Sequence, residues 1–173
     1  MPSEKILLVG LGNPILGDDG VGWVVARGVE EHIRAEGGDI EVDYLSLGGL
    51  SLMERLIGYK KVVLVDSLTT GKHPQGEVIT FTLEDLVDLT SSHTAAAHDT
   101  SLKTALATGR QLGADLPDDR DIHVVAIESH HVYDIEEGLT PAIAAAVPSA
   151  VQEALKIFKE LNFDGGLSYS SNP

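Results

Sequence analysis

The sequence predicts an α/β fold, a three-layer α/β/α sandwich around a mostly parallel, twisted, five-stranded sheet with one antiparallel strand. Three observations lead there. Continuous apolar runs such as "KILLVG" and "KVVLVD" suit strands buried on both faces. They alternate with segments of helical period, the pattern of helices covering a parallel sheet. One run, "EVITFT", instead alternates polar and apolar residues, as expected of an edge strand of different orientation.

Residues 5–10 read as the first strand, ended by glycine, and residues 21–36 as an amphipathic helix with Val21, Val24, Val25, Val29 and Ile33 near one face. Residues 40–45 form a second strand, 51–57 a short helix and 61–66 a third strand with the buried signature of the first. The edge strand spans 77–82, and "LEDLVDL" after it makes a helical turn or two. Residues 100–112 are helical, 121–128 form the last strand, and 141–161 form a helix with Pro141 in its first turn. Pro148 lies inside that helix and predicts a kink or break, because proline removes a helical hydrogen bond. Residues 1–162 are expected to form a single domain and 163–173 a flexible tail.

A chain of 173 residues buries one proper core but would be cramped as two domains. The absence of cysteine excludes a disulfide scaffold, a thiolate nucleophile, an iron–sulfur site and a cysteine zinc site, and suits a cytoplasmic protein. A net charge of −15 opposes binding to nucleic acid or an anionic membrane, which need basic surfaces. No apolar run is long enough to span a bilayer, and "MPSEK" does not read as the start of a signal peptide.

In parallel sheets ligands bind at the carboxyl ends of the strands. That rule places the opening loop, the residues after Asp66 and those around Glu128 along one edge. The loop "GLGNPILGDDGVG" crowds glycines around Asp18 and Asp19. It is not a dinucleotide fingerprint: Ile15 takes the third glycine position, the aspartates oppose a pyrophosphate, and Leu45 and Ser46 stand where an acid is needed. The G-K-[ST] of a phosphate loop is absent. His93 and His98 lie five apart without the glutamate of a zincin, and "GLSLM" around Ser51 lacks the second glycine of a nucleophile elbow. "VGLGNP" is similar to the start of peptidyl-tRNA hydrolases, but the chain continues "ILGDDGVG" and departs from that family's pattern.

"GLGNPILGDDGVG", "GGLSLMERL", "VVLVDSLTTGKHPQGEV", "AAAHDTSL" and "HHVYDIEEGLTPAI", in this order, resemble the [NiFe]-hydrogenase maturation proteases, covering nearly the whole chain. The resemblance implies a phosphorylase/hydrolase-like α/β/α domain and an endopeptidase. Its implied substrate is the precursor of a hydrogenase large subunit, whose C-terminal extension is removed after nickel insertion. It maps metal-ligand positions onto Asp19, Asp66 and His98, which would act in catalysis by holding nickel carried by the precursor rather than a resident cofactor. Leu47 and Leu50 flank Gly48 and Gly49 where the family often has Asp and Thr, a departure that touches none of the three positions.

The chemistry of these residues agrees with that implication. A carboxylate such as Asp66, ending a buried strand, is unexpected unless something offsets its desolvation. Two carboxylates and an imidazole form an N/O donor set suited to Ni, Zn or Mn, with coordination positions left open. The glycines then let the backbone turn tightly and present Asp19 to a bulky partner. Such a metal could polarise the scissile carbonyl and acidify water. Alternatively, Asp19 and Asp66 could share a proton and activate water as a pair. A third reading is a non-catalytic nickel-binding or chaperone module with the same ligands. Asp18 reads as a cap for the helix beginning near Gly20, Asn13 as a brace of the loop, and His93 as a solvated histidine. His130 and His131 read as polar surface or as aids to substrate binding.

Overall fold

The computed structural model describes residues 5–46, 48–86, 97–130, 135 and 137–164, with backbone alone at 97–101 and 163–164. Five strands form one sheet: β1 (Ile6–Leu11), β2 (Glu41–Leu45), β3 (Lys61–Leu68), β4 (Val78–Thr82) and β5 (Ile122–Glu128). Their order is β2-β1-β3-β5-β4; all pairings are parallel except β4 with β5. The alternating run is thus the antiparallel edge strand.

The two-residue period of the strands divides the core. Val9, Val62, Leu64, Leu68 and Val124 pack on one face with Leu52 and Leu56, contributed by helix α2 (Gly49–Arg55) and the residue following it, and with Leu102 and Leu106 of α3 (Ala97–Gln111). Leu8, Val63, Val65, Val125 and Ile127 pack on the other with α1 (Val21–Ala35) and α4 (Pro141–Asp164), through Val25, Val29, Ile143 and Ala150. Most of these side chains are fully buried, and each such burial is worth about 1.5–3 kcal/mol. Gly22 lets α1 lie directly against the sheet: a Cβ there would stand 2.2 Å from Leu11 O and 2.5 Å from Val65 O.

Several bounds differ from expectation: α2 lies at Gly49–Arg55 rather than 51–57, β3 runs past Asp66 to Leu68, and α4 runs to Asp164, so residues 163–164 belong to the helix and not to the expected tail. α3 begins at Ala97, three residues before the predicted start, in a run of alanines with high helix propensity. After β4 a 3-10 turn spans Leu83–Asp85, with Thr82 and Asp85 capping each other; residues 87–90 lie outside the described residues. Pro148 does not break α4, which is assigned continuously as helix over Pro141–Asp164. Pro148 and Ala144 both lie on the exposed face, so the carbonyl left without its helical partner has access to water. The expected tail lies outside the described residues from 165 onward. No helix among the described residues is long and apolar enough to cross a membrane.

Candidate active site

The loop after β1 folds back on itself. Gly12, at φ 131°, brings its backbone so close to the next turn that a Cβ would sit 1.8 Å from Asp19 O. Asn13 braces the loop as expected, its Oδ1 accepting the Ile15 N–H at 3.2 Å. A 3-10 turn, Gly17–Gly20, then carries Asp18 and Asp19 into α1.

The two aspartates go opposite ways. Asp19 is half-buried at the carboxyl edge of the sheet; its Oδ2 accepts the Asn13 N–H at 2.8 Å and its Oδ1 the Ser67 hydroxyl at 3.3 Å. Asp18 is buried and points toward the start of α4. Its carboxylate accepts the Thr140 N–H at 2.7 Å, the Thr140 hydroxyl at 2.9 Å and the Ser129 hydroxyl at 3.4 Å. No side chain caps α1, so Asp18 is not the cap its position predicted. Tertiary contact outcompetes the local bond because Thr140 offers two donors just ahead of Pro141.

Asp66 lies near the end of β3 and is 9% exposed. Its Oδ1 accepts the Ser67 N–H at 2.8 Å. By strand alternation Asp66 shares the face of Leu64 and Leu68, which α3 covers, whereas Ser67 shares the face of Val63 and Val65, which α1 covers. Asp19 and Asp66 thus lie at the same end of the sheet and bond to one residue, Ser67, Asp66 through its backbone N–H and Asp19 through its hydroxyl. His98 falls in the first turn of α3, the helix on the Asp66 face, and its side chain lies outside the described residues, as do His93 and His131. His130 is exposed, with Nε2 3.2 Å from His73 O and 3.7 Å from Glu128 Oε1.

Sequence reasoning gave no role to Glu128. This carboxylate is fully buried at the end of β5; Oε1 accepts the N–H groups of Thr70 and Gly71 at 2.9 and 2.8 Å, and Oε2 accepts the Thr70 hydroxyl at 2.8 Å. It anchors the loop leaving β3, just beyond Asp66 and Ser67. The signal that singles out Asp66, an acid ending a buried strand, applies equally to Glu128. The Asp18–Thr140 contact has no such signal, since its partners are 122 residues apart.

The sequence model of the hydrogenase maturation protease family matches residues 30–157, a span that includes Asp66 and His98. A Methanocaldococcus jannaschii protein carrying that family name is 27% identical over 166 residues, covering 92% of this chain and 100% of its own. The [NiFe] hydrogenase maturation protease HybD of Thermococcus kodakarensis is similar in structure with a TM-score of 0.64 at 26% identity, over 88% of this chain and 98% of that one. The hydrogenase maturating endopeptidase HybD of Escherichia coli shares the fold with a TM-score of 0.70 at 21% identity, over 90% and 93% of the two chains. An α/β/α sheet with acids gathered at its carboxyl edge, in a sequence that the family's model matches over most of its length, identifies this chain as a peptidase belonging to the hydrogenase maturation protease family.

Proposed function

We propose that this endopeptidase removes the C-terminal extension of a [NiFe]-hydrogenase large-subunit precursor once nickel has been inserted, and that Asp19, Asp66 and His98 hold the precursor's nickel. What supports the reading is that Asp19, in the turn that follows β1, and Asp66, near the end of the adjacent strand β3, each hydrogen-bond to Ser67. Carboxylate oxygens with an imidazole nitrogen suit a divalent ion of nickel's hardness. The metal arrives as part of the substrate. Held beside the scissile bond, it would polarise the carbonyl and acidify an attacking water. Metal recognition of this kind makes cleavage depend on completed nickel insertion.

The test is cleavage of a nickel-loaded precursor. Wild type should shorten it; Asp19→Asn and His98→Ala should remain folded and lose at least about a hundredfold in rate, beyond what loss of a residue merely orienting a ligand costs. His93→Ala should match wild type. An intact loaded precursor after incubation with wild type would point to a non-catalytic nickel-binding module. Normal cleavage by His98→Ala would remove that histidine from the site.

A further inference from the structure

Ser67 touches both carboxylates of the candidate site, through its N–H to Asp66 Oδ1 at 2.8 Å and its hydroxyl to Asp19 Oδ1 at 3.3 Å. We infer that Ser67 is a positioning residue whose hydroxyl sets the orientation of the Asp19 carboxylate relative to Asp66. The inference rests on the reading of Asp19 and Asp66 as the groups that hold the substrate's nickel.

The place of this hydroxyl in β3 is telling. Positions 63 and 65, on the same face, are valines buried beneath α1. At 67 the face reaches the sheet edge, where the 3-10 turn Gly17–Gly20 begins and the half-exposed side chain is a serine. The Asn13 N–H already holds Oδ2 of Asp19 at 2.8 Å. One donor leaves a carboxylate free to swing about that bond; a second donor on the other oxygen, from β3 rather than from the loop after β1, restricts that swing. Among the described residues Ser67 is the side chain that donates to Asp19. The backbone bond to Asp66 is available to any residue but proline at 67, so the hydroxyl is the part of Ser67 that other substitutions change.

Groups that orient a metal-holding side chain alter function by about 10–100-fold when removed. Thr and Val have nearly the same shape and differ by a hydroxyl for a methyl, which makes Ser67→Thr and Ser67→Val the informative pair, with Ser67→Ala as the smaller control. On a nickel-loaded precursor, Ser67→Val and Ser67→Ala should lower kcat by about 10–100-fold with KM nearly unchanged, since docking of the large substrate does not depend on this bond. Ser67→Thr should stay within about threefold of wild type, and the urea midpoints of all three should match it.

Cleavage by Ser67→Val as fast as by Ser67→Thr, with Asp19→Asn inactive, would overturn the positioning role and leave the site intact. Activity lost in proportion to the urea midpoint would overturn it by making Ser67 a structural link between β3 and the turn. Full activity of Asp19→Asn would instead dismiss the underlying reading of the site, whatever Ser67 does.

Discussion

The two ends of the sheet treat acidic residues differently. At the amino end, beside the starts of the strands, carboxylates meet lysine and arginine in exposed or half-exposed pairs: Lys5 with Glu41 at 2.6 Å, Lys60 with Asp115, and Arg110 with Asp119 at 2.9 Å. At the carboxyl end Asp18 and Glu128 are buried and Asp19 is half-buried, and among the described residues none of these three contacts a lysine or arginine. Hydroxyls and backbone N–H groups take that place. The first arrangement neutralises charge locally in water and contributes little to stability. The second satisfies hydrogen bonding without cancelling charge, so the edge stays acidic.

The sharpest way to break this contrast is to remove a buried brace. Glu128→Ala strands the Thr70 and Gly71 N–H groups and opens a cavity, and should cost about 3 kcal/mol in urea unfolding. Asp18→Ala should behave similarly by releasing Thr140, while Asp18→Asn, which can still accept the Thr140 N–H and donate to its hydroxyl, should lose about 1 kcal/mol. If both alanine variants unfold like wild type, the buried acids are not braces.

The same operation at the amino end should do less. Asp119 meets Arg110 at 2.9 Å and Lys103 at 3.8 Å with side chains partly exposed, so Asp119→Ala should cost about 1 kcal/mol or less, and less still at high salt. A loss matching that of Glu128→Ala would erase the distinction between the two ends.

The smallest effect concerns pH. His123, half-buried near the start of β5, has its pKa lowered from 6.5 chiefly by burial, with Asp121 and Glu160 opposing the shift. The unfolded chain therefore binds this proton first. The contribution of neutral His123 is complete above pH 6.5 and is lost as pH falls below it toward the folded-state pKa. His123→Gln should flatten that acid limb of the stability curve while changing stability at neutral pH by about 0.5 kcal/mol or less. An unaltered limb would assign the acid sensitivity to other groups.

Much of this molecule is written locally. Valine- and leucine-rich runs mark β1 and β3, because a strand covered on both faces has few polar positions to spare. The alternating run marks β4 for the converse reason, lying half-exposed at the sheet edge. Asp66 was legible as a strand-ending acid in an apolar run. Ser67 was not, since a serine next to that acid carries no pattern until the turn holding Asp19 is seen 48 residues away in sequence.

By itself, then, the sequence determined the layered sheet, its edge strand and the presence of acids near strand ends, because hydrophobic period and strand-end acids are properties of neighbouring residues. Only the tertiary structure decided which of two adjacent aspartates turns inward to Thr140 and which faces the edge, that Glu128 anchors the loop after β3, and that α4 runs through Pro148. Each of these depends on which donors, or how much water, the packed layers bring within about 3 Å of a polar group, and no local pattern records that.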